Sequence, residues 1–346
     1  MLKESPGDAL ILADKRQQEV LGFDGLIAGR PRELRSFLQS FLGLVCESVK
    51  SHGGVIPSGL GGQTDCPYLF GMPELPELEA LRMRIGPRVE GKLITAATVN
   101  PKKAHLLRYP VDNFALELPA RRVTALTRRG KHMVFATELG GGGQPRWLVI
   151  NPMLGGRFQI VGGDAPVPAT EVFTLRVEGK QELRYLDFRD MGRIYWVSDC
   201  SRDVPAWDGQ GPEADSVGEM GLDVFRKRLR RFRDELKDLL RNQEFLAGIG
   251  NAYSDEILFE ARLLPLRRRA SLKPEEEEAL FRAIPLVLSR AVEAILANPN
   301  YDESKQDRTF MSVHMKGGKT CPRCGHRISQ LGSNREPLNF CRGCQL

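Results

Sequence analysis

Cys321-Pro322-Arg323-Cys324 and Cys341-Arg342-Gly343-Cys344 close the chain, with 16 residues between the two pairs. This is the spacing of a four-thiolate zinc site, because each Cys-x-x-Cys knuckle delivers two soft ligands to one tetrahedral ion. Gly325 and Gly343 stand where tight knuckle turns need small residues. The connecting loop is polar, with Arg327, Ser333, Asn334, Arg335 and Asn339, so the metal must supply the folding energy of so short a unit. Four ligands fill the coordination sphere, and the expectation is one structural Zn2+. His326 is poorly placed to replace its neighbour Cys324. Redox use of the cysteine pairs is the alternative, and their four-fold symmetry argues against it.

The remaining cysteines, Cys46, Cys66 and Cys200, are isolated and read as packing residues rather than functional thiols. Asp8, Asp14, Glu19 and Asp24 interrupt the first 25 residues, which excludes a secretory signal there. A cytoplasmic protein with reduced thiols is expected. No run of 18 apolar residues exists, so no membrane span is expected. Hydrophobic residues make up 41% and charged residues 27% of the 346-residue chain, enough for two or three domains with cores of their own.

Charge is distributed unevenly. Of 50 Lys+Arg and 44 Asp+Glu, 7 and 8 lie in residues 1–71, so 43 and 36, an excess of +7, fall in residues 72–346. A basic surface is the footprint of a polyanionic partner, although an excess of this size also lies within ordinary scatter. Residues 1–71 carry two segments with helical character, 9–20 and 32–49, followed by a Gly/Ser/Pro-rich stretch at 51–62. They show no chemical motif; His52 and Cys66 have no partners at ligand spacing. This extension reads as disordered or as a mis-assigned start.

From residue 72 the pattern changes. Leu78, Leu81 and Ile85 mark a helix over 77–90. Short strands are expected at 93–99, 114–118, 122–126, 132–138, 147–150, 157–161, 173–177, 183–188 and 194–197, separated by glycine turns. After a loop at 207–211, helices are expected at 224–241, 250–260 and 274–297, with Lys and Arg crowded at 226–228 and 230–231. The whole reads as an α+β protein: a β-sandwich or barrel with an entrance helix (72–204), a helical domain (205–300), and a flexible loop with a zinc hairpin (301–346).

The segment Met72-Pro73-Glu74-Leu75-Pro76-Glu77 admits two readings. Prolines commonly open helices, and nothing more is needed to explain them. A proline heading a chain, however, has a secondary amine titrating near the α-amino range of about 7.7–8, well below the lysine value of about 10.4. It can attack a sugar C1′ to give an iminium ion, and an adjacent carboxyl can protonate the ring oxygen.

Met72-Pro-Glu-Leu-Pro-Glu-Leu-Glu-Ala-Leu-Arg82 resembles the amino terminus of the formamidopyrimidine-DNA glycosylases, relatives of endonuclease VIII. Arg128-Arg129-Gly130-Lys131, Asn151-Pro-Met-Leu154-Gly-Gly, Asp187-Phe-Arg189-Asp-Met191-Gly, and Phe245-Leu-Ala-Gly248-Ile-Gly250-Asn251-Ala-Tyr253-Ser-Asp-Glu256 resemble further motifs of that family, in order. The likeness runs from residue 72 to 346. It implies a β-sandwich, a helix–two-turn–helix domain and a zinc hairpin. It also implies excision of oxidised purines, 8-oxoguanine and formamidopyrimidines, from damaged double-stranded DNA, followed by β,δ-elimination at the abasic site. Pro73 would be the nucleophile, Glu74 the general acid, and Glu77 a support for the amine. Lys131 would contact the sugar or phosphate beside the lesion. Asn251 and the amides around Gly250 would grip phosphates, as would Arg335, while Leu154, Arg189 and Met191 would wedge into the stack. A monomer with no nucleotide cofactor is expected.

The sequence departs from the family pattern in places. Leu154 and Met191 stand where Met and Phe are usual, Glu244 where a lysine is usual, and Glu336 where the hairpin arginine is usual, with Arg335 one residue earlier. Most of all, residues 1–71 precede Met72, and an internal proline nitrogen is an amide that cannot attack anything. Three readings stay open: translation from Met72 with later removal of that methionine, proteolytic removal of the extension, or a continuous chain that binds damaged DNA without Schiff-base chemistry. An endonuclease VIII-like preference for oxidised pyrimidines is the alternative specificity.

Overall fold

Leu75 to Val89 is helical (α1), with Pro76 in the first turn, where a missing N–H costs no hydrogen bond. Glu74, in extended geometry, precedes the helix, and its N–H donates to the Glu77 carboxylate at 2.9 Å, one half of a capping box. The computed structural model describes residues 71–299, 302, 306–332 and 336–346. The extension and Arg335 lie outside these.

The first part contains eight strands: β1 (Ile94–Val99), β2 (Arg121–Arg129), β3 (His132–Leu139), β4 (Arg146–Asn151), β5 (Gly156–Gly162), β6 (Glu171–Val177), β7 (Gln181–Asp187) and β8 (Arg193–Val197). They form two four-stranded antiparallel sheets, in the orders β1-β6-β7-β5 and β2-β3-β4-β8. One core joins both sheets. Phe135, Leu148 and Trp196 of one sheet pack with Phe158, Phe173 and Tyr185 of the other, and Leu78, Leu81 and Ile85 of α1 complete the cluster. The sandwich with an entrance helix is therefore present.

One expected strand is not. Residues 114–117 belong to a helix, α2 (Val111–Glu117), preceded by Pro110 and capped by Leu118. Phe114 and Leu118, four residues apart, both face the core, and Phe114 meets Phe173 edge-on at 5.7 Å. Five residues are too few to separate a period of two from one of 3.6.

Helices α3 (Cys200–Asp203), α4 (Val217–Met220), α5 (Leu222–Leu229), α6 (Leu236–Arg241), α7 (Asn251–Glu260) and α8 (Pro274–Ala297) follow. The expected helix over 224–241 is thus two. Between them Phe232 packs on Phe245 at 5.3 Å, and the backbone pairs sideways: Leu236 N–H with Arg267 O at 2.9 Å and Arg269 N–H with Asp234 O at 3.1 Å. This tertiary pairing overrides helix propensity. The helices share a second core with Phe225, Phe245, Ile249, Tyr253 and Ile284, into which Leu75 of α1 inserts. α1 thus belongs to both halves.

The chain ends in the hairpin β9 (Ile328–Leu331) and β10 (Leu338–Cys341). Among the described residues, no helix is long and apolar enough to cross a membrane.

Candidate active site and DNA-facing elements

The site forms where α1 begins, α7 begins and the β2–β3 turn meets them both. Gly248 makes the approach possible. Its φ is +101°, its carbonyl accepts from Leu75 N–H at 3.0 Å, and a Cβ there would lie 2.7 Å from the Leu75 side chain. Gly250 is the second close approach: a Cβ would fall 2.5 Å from the Glu74 carboxyl carbon and 2.7 Å from Lys131 Nζ. Glu74, Lys131 and the start of α7 are therefore in mutual contact through a position where only hydrogen fits.

Glu74 is 2% exposed. Its carboxylate accepts from the amides of Gly250 at 2.5 Å, Ala252 at 2.8 Å and Tyr253 at 3.4 Å, which makes it the anion at the α7 N-terminus. The amides expected to face phosphate are thus taken by Glu74. Asn251 turns toward the β9–β10 hairpin segment, donating from Nδ2 to Pro337 O at 3.2 Å. Glu77, also buried, accepts from the Tyr253 hydroxyl at 3.1 Å and from Arg308 Nε at 2.8 Å. Burial, and then the charge on Glu77, raises the Tyr253 pKa well above its usual value, so it stays a phenol.

Arg308 is the residue that sequence reading missed. It reaches Glu77 through Nε, lies with Nη2 3.6 Å from Glu74 Oε1, and stands 5.8 Å over the Tyr253 ring. Its other contact is the Met72 carbonyl, to which Nη2 donates at 2.9 Å and Gln306 Nε2 at 3.5 Å. Desolvation opposes its charge, but Glu77 and Glu74 outweigh that and raise its pKa. It sits in a polar stretch without periodicity, so no local signal marks it. Pro73 is buried and lines a small pocket with Glu77, Leu81, Phe158, Ile295 and Gln306.

Lys131 is held by its hairpin. Desolvation lowers its pKa from the ordinary lysine value, with Glu74 opposing. The preceding residues dock onto the segment after the sandwich. Arg129 Nη1 and Gly130 N–H both meet Glu213 Oε1, at 2.7 and 2.8 Å, while Arg128 pairs with Glu213, with Asp215 at 2.6 Å and with Glu79 at 3.3 Å. Next to Lys131, His132 bridges to the β4–β5 loop. Its Nδ1 lies 3.3 Å from Arg129 O, which only accepts, so Nε2 is left to accept from Asn151 Nδ2 at 3.3 Å. Burial holds this imidazole at a pKa of about 4, hence neutral.

The expected wedge residues come together at one end of the β5–β7 pair. Asn151 Oδ1 accepts from Met153 N–H at 3.1 Å and shapes the turn bearing Leu154. Asp187 accepts from the amides of Arg189, Asp190, Met191 and Gly192 at 2.7–3.2 Å, and so builds the second loop. Phe188 N–H donates to Gly155 O at 3.3 Å and ties the loops side by side. Leu154 and Arg189 are half-buried, and Met191 is exposed.

The four hairpin cysteines converge. Their sulfurs all lie within 4.8 Å of one another, with Cys321–Cys344 at 3.8 Å and Cys324–Cys341 at 3.4 Å. A tetrahedron with Zn–S of 2.3 Å has S···S edges of about 3.8 Å, so these residues fit one ion. Gly325 has φ of +78° at the first knuckle. Cys321, Cys341 and Ile328 pack on Phe259 and Val313. Beneath them, Asp255 accepts from Lys237 Nζ at 2.5 Å and from Asn339 N–H and Nδ2 at 3.3 Å each, and meets His314 Nδ1 at 2.9 Å. Glu256 accepts from the amides of Ser312, Val313 and His314 at 2.8 Å. Two neighbouring carboxylates of α7 thus hold the hairpin and the loop before it.

Residues 72–194 match the formamidopyrimidine-DNA glycosylase N-terminal domain, and residues 210–298 the formamidopyrimidine-DNA glycosylase H2TH domain. The chain is 30% identical over 279 residues to the formamidopyrimidine-DNA glycosylase of Geobacter metallireducens, covering 79% of this chain and 100% of the relative. It is 32% identical over 280 residues to that of Symbiobacterium thermophilum, covering 79% and 89%. Among solved structures it is similar to MutM in complex with carbocyclic 8-oxo-G containing DNA, at a TM-score of 0.69 and 25% identity over 79% of this chain and 99% of that one. A Lactococcus lactis enzyme complexed with DNA containing an abasic site gives a TM-score of 0.69 at 24% identity, over 79% and 99%. The chain belongs to the formamidopyrimidine-DNA glycosylase family of DNA-repair enzymes, whose activity includes a strand-lyase step.

Proposed function

We propose that the protein excises oxidised purines from damaged duplex DNA through a Schiff base on Pro73, then cleaves the strand by β,δ-elimination. The observation that carries this reading is the cluster at the head of α1: buried Pro73 with Glu74, Glu77, Lys131 and Arg308 gathered round it. Pro73 nitrogen forms a bond to C1′ as the base leaves. The Glu74 carboxylate takes the proton freed from the Pro73 nitrogen and returns it to O4′ as the C1′–O4′ pair departs onto that oxygen, and an iminium results. Lys131, beside Glu74, is the residue that contacts the sugar or phosphate next to the lesion. The loops bearing Leu154, Arg189 and Met191 fill the gap left by the flipped nucleotide. The cysteine cluster holds a single structural Zn2+, remote from the chemistry. A monomer acting in the cytoplasm without a nucleotide cofactor completes the reading, with the domain boundaries given above.

The chemistry requires Pro73 as a free amine. In the continuous chain Met72 acylates it, which favours a second reading, a damaged-DNA-binding protein without catalysis. Amino-terminal sequencing of the natural protein, combined with borohydride trapping on 8-oxoguanine and thymine glycol duplexes, separates the readings. A trapped adduct with the form starting at Pro73 is expected, and none with Pro73→Gly left behind its extension. Trapping by a chain whose residue 73 is still acylated would overturn the assignment of the nucleophile. A preference for thymine glycol would move the specificity to the endonuclease VIII type.

A further inference from the structure

Two donors converge on a single oxygen beside Pro73. Arg308 Nη2 and Gln306 Nε2 point at the Met72 carbonyl oxygen, at 2.9 and 3.5 Å, and the carbon bearing that oxygen is bonded to the Pro73 nitrogen. This peptide group therefore marks where a carbon attached to that nitrogen sits and where its oxygen substituent lies. In the covalent adduct of the proposed function, on which this inference rests, C1′ takes the carbon's place. Once the base has gone, C1′ carries a hydrogen, C2′ and O4′, and only O4′ accepts hydrogen bonds.

We propose that Arg308 and Gln306 form the hydrogen-bond pair that receives the sugar ring oxygen as the C1′–O4′ bond breaks. The nitrogen gives its proton to the Glu74 carboxylate, the lone pair so freed closes the C=N bond, the C1′–O4′ electrons leave on O4′, and Glu74 passes the proton on to that oxygen. The guanidinium keeps its own protons throughout and acts as a fixed charge. Three contacts hold it in place: Glu77 at 2.8 Å through Nε, Glu74 at 3.6 Å, and the Tyr253 ring at 5.8 Å. Its Nη2 lies between the oxygen it serves and the carboxyl that delivers the proton, so the acid and the charge acceptor form one unit. A preset donor aimed at developing charge needs no reorganisation at the moment of reaction and is usually a large contribution to catalysis. The placement also explains why a carbonyl left on Pro73 is so well accommodated: it fills the position that the ring oxygen would occupy.

The test uses the chain beginning at Pro73. Single-turnover borohydride trapping is measured on a duplex with 8-oxoguanine, and affinity on a duplex with tetrahydrofuran, which has a ring oxygen but no reactive C1′. Arg308→Gln is expected to slow trapping by about 100-fold, and Gln306→Ala by about tenfold, with tetrahydrofuran affinity within about threefold of the parent. Arg308→Lys, which keeps the charge, should recover part of the loss, and a thermal melt identifies any variant that fails to fold. Because Gln306 bears none of the ion pairs, its variant tests the idea even if Arg308→Gln unfolds. Trapping by both variants at the parent rate overturns the inference while leaving the Schiff base standing. A parallel fall in trapping and tetrahydrofuran affinity also overturns it, since the pair would then only bind DNA. Absence of trapping in the parent itself overturns the Schiff-base reading, and the inference with it.

Discussion

Replacing Asp255 by alanine should detach the cysteine hairpin from the helices without touching the site at Pro73. Asp255 is fully buried on α7, and its carboxylate serves Lys237, His314 and both donors of Asn339. Once it is gone, Lys237 Nζ keeps only the Pro337 carbonyl at 3.1 Å while remaining about 5% exposed. Removing one partner of a buried ion pair costs about 3–5 kcal/mol, because the other charge is left uncompensated. Spread over the helical half, that corresponds to a fall of about 6–20 °C in its melting midpoint. The loss also has a sign in pH. Desolvation already lowers the Lys237 pKa from 10.5, and Asp255 opposes that. Without Asp255 the folded-state value falls further while the unfolded value does not. The unfolded chain then binds more protons across the widened window, and stability rises with pH there. The deficit should therefore be largest near neutral pH and shrink toward pH 10. Urea melts at a series of pH values, read by the helical circular dichroism signal and by release of metal bound at the four cysteines, provide the measurement. A loss below about 1 kcal/mol, the ordinary size for any point substitution, or a deficit that grows with pH, would refute the argument that Asp255 neutralises a buried lysine.

Other outcomes follow from single contacts. Gly250→Ala should abolish nicking while the fold survives, since its methyl would displace Glu74 and Lys131 and its φ of −131° suits any residue; kinetics beside a melt would show this. His132 is held neutral, with its pKa lowered from 6.5 to about 4. The unfolded chain thus takes up the proton first, and stability should decline as pH falls through that interval, an effect that His132→Phe should remove. Stripping the metal with a chelator, or Cys324→Ser, should unfold the hairpin and loosen DNA binding, with amide exchange rising first at residues 338–341. Affinity for duplex DNA should fall steeply as salt rises, by counterion release, and a flat response would contradict a phosphate grip by this basic chain.

The elements that chemistry forces to be local were readable in the sequence. The cysteine pairs, the helix after Glu74 and the alternation of the strands each carry their own short-range signal, and the structure contains them. What could not be read depends on distant partners. Residues 230–235 leave helical geometry because they pair with 267–269, some thirty residues away in sequence. The amides around Gly250 looked free for phosphate because nothing nearby announces that Glu74, at the head of α1, would cap them. Arg308 was invisible for the same reason: its meaning lies entirely in Glu74, Glu77 and Met72, more than two hundred residues earlier.

Glu213 has a mechanical consequence. It anchors the tip of the β2–β3 hairpin, and its neighbours Pro212 and Ala214 are stitched to Ala247, with Ala214 N–H on Ala247 O at 3.1 Å and Ala247 N–H on Pro212 O at 2.8 Å. Ala247 leads directly into the turn that cradles Glu74. Should the two halves swivel to admit a bent duplex, Lys131 would ride with the helical part instead of the sheets that carry it. The spacing between Lys131 and the Glu74 carboxyl would then stay fixed while the cleft opens and closes.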